Sequence, residues 1–127
     1  MNTLSKIKRA KFRSQAGRCY YCDQPMWCED AKGFAKLYGL SRRSARLFEA
    51  TAELLVARSA GGPDRATKIV AARLYCNMTR HRAKRALNPD AYARRVKLRL
   101  HTGKWHGFLS AIADGPRAFE PVRPPAG

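Results

Sequence analysis

Basic side chains outnumber acidic ones so heavily in this chain that they set the terms on which it can fold. Lysine and arginine number 26 against 9 acidic residues, a formal net charge of +17 over 127 residues. At that imbalance the compact state repels itself unless a polyanion or counterions neutralise it. A hydrophobic content of 45% suffices for one small core, with the cations turned outward, and a second full domain is not expected.

The cations recur in two blocks. Lys6, Lys8, Arg9, Lys11, Arg13 and Arg18 form the first; Arg80, Arg82, Lys84, Arg85, Arg94, Arg95, Lys97, Arg99 and Lys104 form the second. Two such blocks could flank a groove that follows phosphates, which makes nucleic acid the first partner to consider. A well-solvated basic surface, or an anionic membrane or protein partner, is the plainer reading of the same charge. No stretch approaches the roughly 20 apolar residues needed to cross a bilayer, and the basic N-terminus leads into no apolar signal core. These features predict a cytoplasmic protein. In that setting four cysteines favour metal ligation or free thiols over disulfides, and Cys19-Tyr-Tyr-Cys22 has the spacing of a zinc knuckle.

Along the chain, residues 1–16 are predicted as a basic helix or arm, with Leu4 and Ile7 on one side and Gly17 as the stop. Residues 31–49 read as two helices: Phe34, Leu37 and Tyr38 lie on the first, Gly39 ends it, and Ser41 caps a second that buries Ala45 and Phe48. Thr51 to Ser59 reads as a strand pair, or a strand and loop, closed by Gly61-Gly62-Pro63-Asp64. A helix is predicted from about Ala66 to Ala86, carrying Ile69, Val70, Ala72 and Cys76 inward. Asn88-Pro89-Asp90 combines a cap, a first-position proline and an acidic first turn, and it opens a helix over 89–102 with Tyr92, Val96 and Leu100 on one face. Residues 114–127 are Pro-rich, with too few apolar residues for a core, and are predicted as a flexible tail.

Read together, several of these segments resemble one family. Cys19-x-x-Cys22, then Ala52-Glu53-Leu54-x-x-Ala57-Arg58-Ser59-x-Gly61-Gly62-x-Asp64, then Ile69-Val70-Ala71-Ala72, then Cys76-Asn77-x-x-Arg80, resembles the small HNH endonucleases over roughly residues 17–86. The resemblance implies an α+β, mostly helical fold: a ββα-metal, treble-clef-like core within residues 17–113, with added helices. It also implies a structural zinc held by paired Cys-x-x-Cys turns, and a divalent cation such as Mg²⁺, Mn²⁺ or Ni²⁺ at the hairpin. Phosphodiesters are anionic and resist hydroxide, so such a site needs a cation to offset developing charge and a neutral base to deprotonate water.

Residue by residue, the chain departs from that pattern. Glu53 matches the acidic position and Asn77 the last, metal-binding one, so these two are the candidate catalytic-cation ligands. Leu54 stands where the family's catalytic histidine belongs, and leucine neither accepts a proton nor binds a metal. Lys68 stands at the middle asparagine, where its ammonium would repel a nearby divalent ion. Arg73 stands three residues before Cys76, where a fourth cysteine is expected. Cys19, Cys22 and Cys76 are therefore three of four zinc ligands, with Cys28 as a candidate fourth or else a free thiol. His81, one helical turn after Asn77, is the nearest substitute base; the alternative is a surface group or phosphate contact. His101 and His106 lie outside the motif, and Trp105 and Tyr92 are candidates for base stacking or core packing.

Three functions follow. The first is an HNH-like DNA-binding protein whose hydrolysis is impaired or lost. The second is an active metal-dependent nuclease using Glu53, Asn77 and His81. The third is a basic structural or RNA-binding protein. Lys8, Arg9, Lys11, Arg58, Arg80, Arg82, Lys84 and Arg85 are the expected nucleic-acid contacts.

Overall fold

The computed structural model describes residues 2–55 and 68–107, and within them an α+β arrangement, mostly helical, surrounds one two-stranded antiparallel sheet. Helix α1 spans Thr3–Ser14; Asn2 caps it, its side chain accepting from the Ser5 backbone N–H at 2.7 Å. No α1 residue is buried, so the helix is held by its C-terminal end. There Ala16 and Gly17 take positive φ angles of 56° and 72° and reverse the chain into the Cys19–Cys22 turn.

The segment 31–49 follows its local signals. Helix α2 (Ala31–Tyr38) is capped by Asp30 and ended by Gly39 at φ 66°, and α3 (Arg42–Arg46) is capped by Ser41. Phe34, Ala35, Ala45 and Phe48 form one small core, against which Trp27, Tyr38 and Leu40 pack. Leu37, expected with Phe34, is 61% exposed.

Strand β1 (Ala50–Leu54) pairs with β2 (Ile69–Arg73), Glu53 opposite Val70 and Leu54 opposite Ile69. This corrects the expected helix over 66–86: Ile69–Arg73 is a strand, and helix α4 begins only at Leu74 and ends at Arg82. Ala-Ala-Arg tolerates either state, and five backbone partners on β1 decide it. Helix α5 (Pro89–His101) is capped by Asn88 as its sequence signals required, and it buries Tyr92 and Val96. The loop 59–64, the start of the expected helix at Ala66 and the tail 114–127 lie outside the described residues.

Two tethers fix the larger core. The Gln15 side-chain amide both accepts from the Ala71 backbone N–H (2.9 Å) and donates to the Ala71 carbonyl (2.8 Å), acting as a one-residue extension of the sheet beyond β2. Tyr92 donates its hydroxyl to the Cys76 carbonyl at 2.6 Å, locking α5 to α4. Between these tethers Cys19, Tyr21, Cys22, Ala71, Cys76, Val96 and Trp105 pack as one cluster. Trp105 and Tyr92 thus serve the core, with Tyr92 set edge-on to Tyr21.

Candidate functional site

Two polar centres lie on the β1–β2–α4 unit, one built on Glu53 and one on three cysteines. Strand alternation sends successive side chains to opposite faces. Glu53 accordingly turns inward, 2% exposed, while its neighbour Leu54 is only partly buried. Burying a carboxylate is tolerable only with partners. Glu53 has three: Tyr21 donates its hydroxyl to Oε2 at 3.0 Å, Arg80 Nη1 donates to Oε2 at 3.1 Å, and His81 Nε2 lies 2.9 Å from Oε1. An ionised carboxylate only accepts, so the His81 nitrogen facing it carries the hydrogen and Nδ1 is the ring's other face. Burial, reinforced by the Glu53 charge, pushes the Tyr21 hydroxyl far above its usual range, so it stays a donor.

The structure brings Glu53 on β1 and His81 on α4 together, but it does not gather the whole expected set. Asn77 donates to Thr51 Oγ1 at 3.0 Å and to the Ala52 carbonyl at 3.4 Å, bracing α4 against β1 rather than meeting Glu53. Lys68 continues the hairpin, its carbonyl accepting from the Leu55 N–H at 2.8 Å. Arg80 is a correction. Expected as a nucleic-acid contact, it is 9% exposed and points inward, its Nε also donating to the Leu87 carbonyl at 3.0 Å. Its bond to the Leu87 carbonyl and its pairing from α4 with Glu53 on β1 are tertiary facts that the basic run conceals. Of the other expected contacts, Arg82, Lys84 and Arg85 are exposed, Lys8 and Lys11 are partly buried, Arg9 pairs with Glu29, and Arg58 lies outside the described residues.

The second centre is the cysteine turn. The Sγ atoms of Cys19, Cys22 and Cys76 all lie within 4.8 Å of one another and all three residues are buried, so by spacing the trio could hold a metal ion such as zinc. Among the described residues they form the one such group of cysteine, histidine or acidic side chains. Cys28 is not in it. It packs half-buried at the edge of the core, where burial raises its thiol, and the expectation that it supplies a fourth sulfur is corrected.

Arg73 fills the fourth corner. It is fully buried; its backbone N–H donates to Cys19 Sγ at 3.3 Å and its Nε donates to Cys22 Sγ at 3.2 Å. Its guanidinium lies over the rings of Phe48 (4.5 Å) and Tyr75 (5.0 Å). Nη1 is 3.0 Å from His106 Nδ1, and Nη2 donates to the His106 carbonyl. Burial pushes the Cys22 thiol up, but hydrogen bonds from Cys19 and Cys76 and the Arg73 charge outweigh it and hold that thiol well below its usual range. Burial and the bond to Cys22 push Cys19 up to about 12, and burial likewise raises Cys76. The Cys19 and Cys22 sulfurs both accept from Arg73.

His106 is the residue that sequence reasoning set aside. It sits 33 positions from Arg73, beyond the motif, and follows Trp105, which packs in the core. Burial, then the Arg73 charge, lowers the imidazole below its ordinary range. No family model, no curated protein and no solved structure gives a match to this chain. Among the described residues no helix is long and apolar enough to cross a membrane.

Proposed function

We propose that this chain is an HNH-endonuclease-like protein that binds DNA and hydrolyses phosphodiesters poorly or not at all. The observation that carries the reading is the state of Glu53: the carboxylate that would face a catalytic cation is buried and engaged by Tyr21, Arg80 and His81. Tyr21 and Arg80 both hold Oε2, and a divalent ion could reach Oε1 only by displacing the His81 ring. Leu54, next in the strand, offers no base. The β1–β2–α4 order agrees with the hairpin-and-helix unit of the family, and the +17 charge supports a polyanionic partner.

The test is incubation of supercoiled plasmid with Mg²⁺, Mn²⁺ or Ni²⁺ beside a duplex-binding titration. Duplex binding without metal-dependent nicking is the expected result. Nicking that disappears in both Glu53→Ala and Asn77→Ala would overturn it. One observation favours the second reading, an active nuclease: His81 is 53% exposed while touching Glu53, the arrangement of an oriented imidazole base. Loss of nicking in His81→Ala, with binding retained, would select that reading. Tighter binding to structured RNA than to duplex DNA at matched salt would favour the third, an RNA-associated protein.

A further inference from the structure

A metal knuckle does two physical jobs: it neutralises thiolates in a dry turn, and it ties together segments distant in sequence. Here Cys19 and Cys22 lie in one turn and Cys76 in α4, with the last residue of β2, Arg73, between them. Arg73 already does both jobs. Its charge sits against the sulfurs, and its N–H groups bond to both cysteines of the first turn from the β2 side.

All three nitrogens of the guanidinium are also engaged. Nε goes to Cys22, Nη1 to His106 Nδ1 and Nη2 to the His106 carbonyl, while two aromatic rings cover its faces. Arginine cannot shed its proton in a protein, so Nη1 must donate and His106 Nδ1 must accept. That partnership suits a neutral imidazole. Arg73 is at 0% and Trp105 at 6% exposure, with His106 partly buried over them. A zinc ion bonded to sulfur at about 2.3 Å would lie within contact distance of a permanent cation whose side chain is buried. The sulfurs can serve one cation or the other.

We infer that Arg73 is the resident cation of this turn: its guanidinium takes the place of a metal among Cys19, Cys22 and Cys76, and the Trp105–His106 segment closes the site over it. The knuckle therefore folds without zinc. Its integrity depends on the contact between residues 73 and 106 rather than on metal supply. The inference is independent of whether the protein binds or cuts DNA.

The experiment uses the full chain expressed in zinc-supplemented medium. Elemental analysis is expected to find essentially no zinc, and thermal unfolding is expected to be unchanged by EDTA. Added Co²⁺ should give no thiolate-to-cobalt charge-transfer absorption. Arg73→Cys should instead bind about one zinc or cobalt per chain, as a completed four-ligand knuckle does, and should melt at lower temperature with EDTA. Stoichiometric zinc in the parent, or EDTA-sensitive unfolding of the parent, would overturn the inference. Those two measurements on the parent decide it even where Arg73→Cys does not fold.

Discussion

His81 Nε2 meets Glu53 Oε1 at 2.9 Å across the gap between α4 and β1, with one partner half in solvent and the other 2% exposed. The same carboxylate anchors Arg80 from below. Glu53 is thus first a structural anion, and its removal strands a buried guanidinium.

Glu53→Ala is expected to destabilise the fold by about 3–5 kcal/mol, the usual cost of leaving one member of a buried ion pair unpartnered. His81→Ala, which removes only the exposed partner, should cost about 1 kcal/mol or less. Urea unfolding of both variants measures the difference; equal effects would show that the Glu53–Arg80 pair is not the dominant interaction.

DNA affinity is expected to fall with salt. If about six phosphates are contacted, log K against log salt should have a slope near −5. Replacing Arg82, Lys84 and Arg85 together by alanine should make that slope shallower by about 2–3 if all three touch phosphate. Arg80→Ala should lower stability and leave the slope of the folded fraction unchanged, because Arg80 faces Glu53. Fluorescence anisotropy over a salt series separates the two effects.

Repairing the motif should restore chemistry if the hairpin alignment is right. A folded Leu54→His, Lys68→Asn, Arg73→Cys triple variant is expected to nick plasmid faster than the parent, with about 10²–10⁴-fold available from a positioned base alone. Equal rates in the parent and the folded triple variant would mean that Leu54 does not occupy the base position, or that another defect, such as the engagement of Glu53 by Tyr21 and Arg80, dominates.

Stability should decline on acidification in a way that His106 explains. Its folded-state pKa lies below the ordinary 6.5, so the neutral ring is the form that the fold favours. The stabilisation is fully present above 6.5 and is lost as pH falls through the lower folded value, because the unfolded chain takes up the proton first. Arg73 and Cys22 are the charged groups facing it. The parent's melting temperature should therefore drop below pH 6.5 more steeply than that of His106→Gln, which lacks the imidazole. Parallel curves would contradict this assignment.

What could be read ahead of the structure was local. Asn88-Pro89-Asp90, Ser41 and Gly39 act through bonds to residues within one turn, so their caps and stops follow from residue type. Strand β2 could not be read this way: Ile69–Arg73 is a strand because Ala50–Leu54 lies beside it, a pairing that composition does not encode. The Glu53–His81 contact was accessible in part, since Asn77 and His81 share a helical face. The inward turn of Arg80 and the approach of His106 to Arg73 were not. Both depend on chain segments meeting in three dimensions, and in a run of basic residues the one that faces inward looks like its neighbours.

The Gln15 amide has a last consequence. A lone hairpin normally offers its outer strand as a template on which a second chain can line up, edge against edge. Here the Ala71 peptide group on that border is already taken by a side chain from the end of α1. The chain thereby fills that stretch of its own ribbon's border from within, leaving the Ala71 peptide group closed to an incoming strand.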